Sequence, residues 1–146
     1  MQTKVKDILS QKGSDIITVQ KNDAVDKVVS ILNDKHIGAV IVKDGETVVG
    51  ILSERDLLKK LLPECKCASD VITSEIMTDN LVITTVETSI EECMTVMTEK
   101  RIRHLPVFDG KDLVGIISIG DLMKHIVQEK AAQINYLHDY IAGSLG

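Results

Sequence analysis

The chain has 146 residues, 44% hydrophobic and 27% charged, enough to bury a core and too apolar for wholesale disorder. Seventeen basic residues against 22 acidic ones leave a net charge of −5. That balance disfavours a nucleic-acid or polybasic membrane binder working through general basicity. No apolar run approaches the ~20 residues of a membrane span, and the opening residues read as lacking a secretory signal. Three cysteines cannot all pair within one chain, so the expected setting is the reducing cytoplasm. The only aromatic residues are Phe108, Tyr136 and Tyr140. A site built on aromatic stacking is therefore close to excluded, and any flat base must be held by aliphatic side chains and backbone.

In chain order, the first apolar run, residues 16–19, predicts a strand. Asp23 reads as an N-cap, and Val25, Val28, Val29 and Leu32 recur at helical spacing behind it. Two strands follow at residues 39–42 and 48–52, joined by the hairpin turn Asp44-Gly45. A second helix starts near Ser53. Residues 61–73 contain Pro63 and no strong period, which predicts a linker.

The same order then returns. A shift of 65 residues lays residues 35–59 over residues 100–124 with 12 of 25 positions identical, among them Asp44/Asp109, Gly45/Gly110, Gly50/Gly115, Ser53/Ser118 and Asp56/Asp121. The strand expected at residues 81–85 needs one gap, pairing Ile17-Thr18 with Ile83-Thr84. Ser89 with Glu92 reads as a capping box before Ile90, Cys93, Met94 and Met97. Strands are expected at residues 105–108 and 113–118, and a helix from Ser118. Each copy is thus a β–α–β–β–α unit of α+β class, too short for a robust core alone, so the copies should pair. The domain reading is repeat one at 1–60, linker at 61–73, repeat two at 74–125 and a C-terminal helical extension at 126–146. That tail carries an apolar stripe, Ile134, Leu137 and Ile141, with Tyr136 and Tyr140 one turn apart.

The pattern Gly-x-x-Ser-x-x-Asp occurs twice, at residues 50–56 and 115–121. Ser53 and Ser118 suit N-caps, and Asp56 and Asp121 suit the positive helix end. The same geometry offers N–H groups to anions, while a carboxylate matches the two hydroxyl donors of a ribose 2′,3′-diol. Glycine before it is read as room for a ligand against the strand. Lys100, Arg101, Arg103 and His104 form a basic cluster in an acidic protein. From charge alone they read as a solvated helix end, cations complementing its dipole. Cys93 reads as core. Cys65-Lys66-Cys67 has the wrong spacing for a common zinc pair, and no metal site is expected. No residues group as nucleophilic catalysis requires.

These motifs resemble a tandem pair of CBS domains, a Bateman module, over residues 5–58 and 76–123. The resemblance rests on Ile17-Thr18-Val19, Ile37-Gly38-Ala39-Val40, Gly50-Ile51-Leu52-Ser53-Glu54-Arg55-Asp56-Leu57 and Met77-Thr78. In the second copy it rests on Arg103-His104-Leu105-Pro106-Val107 and Gly115-Ile116-Ile117-Ser118-Ile119-Gly120-Asp121-Leu122. It is similar to the small bacterial or organellar proteins that contain only this module. The resemblance implies adenosine-ligand binding in the cleft between the copies and a disc-shaped homodimer. It assigns Asp56 and Asp121 to ribose, Ser53 and Ser118 to ribose or phosphate, and Arg103 and His104 to phosphate. It adds Thr18 and Thr84 at the first strands, with Thr85 open as the alternative to Thr84. Gly38, Ala39, Val40, Met77, Thr78, Leu105 and Pro106 complete the binding set, and Arg55 is the likeliest cation of the first copy.

The functional expectation is a non-catalytic regulatory module for AMP, ADP, ATP or NAD(H), with S-adenosylmethionine sharing the adenosyl group. It would act on an unknown regulated protein or on its own assembly. The alternative is an interaction adaptor with vestigial clefts, and an enzyme working through Cys65 and Cys67 ranks last.

Overall fold

The computed structural model describes the backbone of residues 2–13 and 15–145, and the side chains of these except 136 and 138–145. It is an α+β chain that divides into two compact units, one of residues 1–14 with 84–146, the other of residues 15–83. The sequence repeats are therefore not the packing units. Residues 1–14 join the second repeat, and residues 61–83 join the first.

In the unit of residues 15–83, β1 (Thr18–Gln20) runs parallel to β2 (Ala39–Asp44), which pairs antiparallel with β3 (Thr47–Ser53). Gly45 supplies the positive φ of 64° that the tight hairpin turn requires. Helix α2 (Val25–Lys35) lays Val25, Val28 and Leu32 on Val19, Val40, Val42 and Leu52 to form the core. Its N-cap is Ala24, not the expected Asp23. The Asp23 carboxylate instead accepts the Gln20 N–H at 2.8 Å and so closes the turn one residue earlier. After β3 the chain enters α3 (Glu54–Asp56), widens into a π turn over Leu57–Leu61 and tightens to a 3₁₀ turn over Leu62–Glu64, where Pro63 sits. The short α4 (Thr73–Ile76) then returns to β3: Thr78 and Ile51 exchange backbone hydrogen bonds at 2.8 and 2.9 Å.

The other unit repeats the plan with α1 (Val5–Lys12) in the place of α4. Strand β4 (Thr84–Thr85) pairs parallel with β5 (His104–Asp109), which pairs antiparallel with β6 (Asp112–Ser118). Helix α5 (Ile90–Lys100) buries Ile90, Cys93 and Met97, and Ser89 caps it by accepting the Glu92 N–H at 3.2 Å. The repetition reaches details: α2 and α5 both end on a left-handed residue, His36 and Arg101, and the hairpins slip register at Val42/Lys43 and Val107/Phe108. Helix α6 (Ile119–Leu145) runs 27 residues, covering the expected tail.

Two expectations are corrected. The gap that paired Thr18 with Thr84 does not exist. Thr18 pairs with Ile41, whereas Thr84 pairs with Val107, the counterpart of Val42, so Thr84 stands where Val19 stands. Both are buried, and the Thr84 hydroxyl lies 3.7 Å from the Cys93 sulfur. The glycines of the repeated motif make room for protein, not ligand. A Cβ on Gly50 would lie 2.7 Å from Met77 Sδ and 2.9 Å from the Thr78 carbonyl oxygen, and one on Gly115 would lie 2.7 Å from a Leu9 methyl.

Candidate functional site

Each unit places its motif aspartate one turn into the helix that follows its hairpin. In residues 15–83, Asp56 Oδ2 accepts the Ser53 backbone N–H at 3.0 Å and lies 3.5 Å from the Ser53 hydroxyl. Its Oδ1 accepts the Thr78 hydroxyl at 2.9 Å and faces Lys60 Nζ at 3.3 Å. Gly38 and Ala39 border this group, because Ala39 pairs with Ser53 and the Gly38 carbonyl accepts the Glu54 N–H at 3.0 Å. Lys60 also donates to the carbonyls of Ile76 and Met77, each at 3.2 Å. Asp56 is buried, and its carboxylate is surrounded by protein donors.

In the other unit, Asp121 Oδ2 accepts the Ser118 N–H at 2.8 Å and the Lys12 ammonium at 2.6 Å, and the Ser118 hydroxyl accepts the Asp121 N–H at 3.1 Å. Lys12 donates also to the Ile116 carbonyl at 2.8 Å. Burial by itself would push the Asp121 carboxyl up. The Lys12 hydrogen bond, the Ser118 N–H and the Lys12 charge outweigh it and hold the carboxyl below its ordinary value. His104 stands opposite Ser118 across the hairpin, and the Arg103 carbonyl accepts the Ile119 N–H at 2.8 Å. The basic pair therefore flanks the entry to α6, with Arg103 exposed and His104 half-buried.

The structure thus gathers Ser53, Asp56, Gly38, Ala39 and Thr78 in one unit, and Ser118, Asp121, Arg103 and His104 in the other. Arg55 is exposed between Ser53 and Asp56, and Met77 packs on Gly50. Other candidates stand apart. Thr18 is exposed on the strand across β2 from β3, and Thr84 turns into the interior. Val40 and Leu105 are core side chains, and Pro106 is buried opposite Ile116. Sequence reasoning missed both lysines that touch the aspartates. Lys60 was legible as the residue four beyond Asp56. Lys12, 109 residues from its partner, carried no local signal.

This repeated hairpin–helix unit with its aspartate at the helix entry defines a class, and the chain belongs to it: the CBS domain family model matches residues 5–63 and 72–128. Among individual proteins, it is 33% identical over 150 residues to the mitochondrial CBS domain-containing protein CBSX3 of Arabidopsis thaliana, covering 97% of this chain and 73% of that one. A solved CBS-domain protein of Burkholderia ambifaria superposes with a TM-score of 0.84 at 41% identity, covering 86% of this chain and 95% of that one. The CBS domain pair of MJ0100, solved in complex with 5′-methylthioadenosine and S-adenosyl-L-methionine, superposes with a TM-score of 0.77 at 25% identity, over 88% of this chain and 99% of that one. Among the described residues no helix is long and apolar enough to cross a membrane.

Proposed function

We propose that the protein is a non-catalytic regulatory module that binds an adenosine-containing small molecule through its ribose diol. Binding would change how the module pairs with itself or with a regulated protein. The observation that carries this reading is the Asp121 carboxylate, ionised and fixed at a helix entry by the Ser118 N–H and Lys12. A carboxylate held this way presents an acceptor to a ribose hydroxyl, while Arg103 and His104 beside it suit phosphate. The adenosyl ligands solved on the MJ0100 pair support the same class of ligand here.

The test is acid extraction and mass spectrometry of the purified protein, followed by calorimetric titration with adenosine, AMP, ADP, ATP, NADH and S-adenosylmethionine. Saturable binding of at least one supports the reading. No binding of any defeats it and leaves the adaptor.

A further inference from the structure

The two aspartates are chemically unequal. A carboxylate offers about four lone-pair positions, and an ammonium three N–H donors. Asp56 meets four donors within the unit: the Ser53 N–H and hydroxyl on one oxygen, the Thr78 hydroxyl and Lys60 ammonium on the other. Lys60 in turn faces three acceptors, Asp56 Oδ1 and the carbonyls of Ile76 and Met77. Acceptor and donor are both saturated, and the Asp56 side chain is only 10% exposed.

At Asp121 the Ser118 N–H and Lys12 fall on Oδ2 and the Ser118 hydroxyl also bonds the carboxylate, so among the described residues three donors meet it where four meet Asp56. Among the described residues Lys12 faces two acceptors, Asp121 Oδ2 and the Ile116 carbonyl, so one N–H remains. The Asp121 side chain is 24% exposed. Among the described residues, one acceptor position of Asp121 and one donor of Lys12 are thus left open at the surface of this unit.

Resting on the adenosyl reading above, we propose that the chain takes one ligand, on the Asp121–Lys12 pair, and that Asp56–Lys60 is a closed internal lock. Lys12 is then a ligand-binding residue: its remaining N–H meets a ribose or phosphate oxygen while the open acceptor position of Asp121 takes a ribose hydroxyl. In the first repeat Thr78 and Lys60 fill the equivalent positions. The asymmetry has a chemical origin. Thr78 follows the short α4 and puts a hydroxyl on Asp56, whereas α1 runs on through the corresponding residue, Ser10, whose hydroxyl turns back to the Lys6 carbonyl at 2.9 Å.

Calorimetric titration of the full chain with AMP tests this. The wild type should bind one AMP per chain, Lys12→Met should weaken it roughly 10-fold, the loss of about one charge-assisted hydrogen bond, and Lys60→Met/Thr78→Val should raise the stoichiometry to two. Valine keeps the size of threonine and the backbone pairing with Ile51, and circular dichroism checks that the variant folds. Two equal sites in the wild type overturn the proposal while leaving the adenosyl reading intact. So does a stoichiometry that stays at one in the folded double variant, or unchanged affinity in Lys12→Met. Absence of binding across the panel overturns both.

Discussion

At the scale of single residues, Asp121 couples the stability of the fold to pH. Its folded-state pKa lies below the ordinary carboxylate value, so its charge stabilises the fold above the unfolded pKa. That contribution is lost as pH falls through the lower folded value. Urea unfolding should find Asp121→Asn less stable than the wild type at pH 7, with the gap closing below about pH 4. A gap that widens in acid contradicts the Lys12 pairing. The glycines offer a second contrast. Alanine at Gly50 meets the Thr78 carbonyl, which is backbone, whereas alanine at Gly115 meets a Leu9 methyl that can rotate away. Gly50→Ala should cost about 1–3 kcal/mol, the usual range for overpacking, and Gly115→Ala less. Equal losses in urea unfolding would mean that the Thr78 segment yields as easily as a side chain. Arg103 separates phosphate contact from helix ending. Arg103→Ala should weaken AMP more than adenosine, and equal weakening makes the phosphate role wrong.

At the scale of elements, α1 and α4 do the same work. Each opens with a carboxylate accepting an N–H at its start, Asp7 from Lys4 and Glu75 from Ile72, and each lays a long side chain on the motif glycine of a hairpin. Ile8 and Ile76 are both 4% exposed. Truncating either to alanine should cost about 2–4 kcal/mol, as for other buried isoleucines, read by denaturant unfolding. These helices were not legible in the sequence, because each is short and is stable only on a hairpin distant along the chain. The hairpins and longer helices were legible because local signals specify them: a glycine turn, alternation, a cap and a 3.6 period. The first strands, two and three residues long, were too short to fix their own register, and one false gap misaligned Thr84. The aspartates of the site announced themselves through a local motif. Their ammonium partners and the difference between them depend on tertiary packing.

At the scale of the whole molecule, α6 continues beyond its repeat and exposes Val127, Ile134 and Leu137 along its length. The side chains of Tyr136, Tyr140 and Ile141, which the sequence reading placed on the same stripe, lie outside the described residues. An apolar line of this kind favours burial against a second copy. Truncation after Lys130 should lower the apparent mass in light scattering while leaving the circular dichroism of the repeats intact. A full-length chain that is already monomeric contradicts that assembly.

The most direct test of the central claim, recognition of a ribose diol by an ionised aspartate, is a pair of titrations with AMP and 2′,3′-dideoxyadenosine monophosphate. The two ligands share base and phosphate and differ only in the hydroxyls. Hydrogen bonds to a charged group are worth ~1.5–3 kcal/mol, so the dideoxy compound should bind roughly 10–100-fold more weakly. That difference should shrink sharply in Asp121→Ala. Equal binding of the two ligands by the wild-type chain would contradict the account.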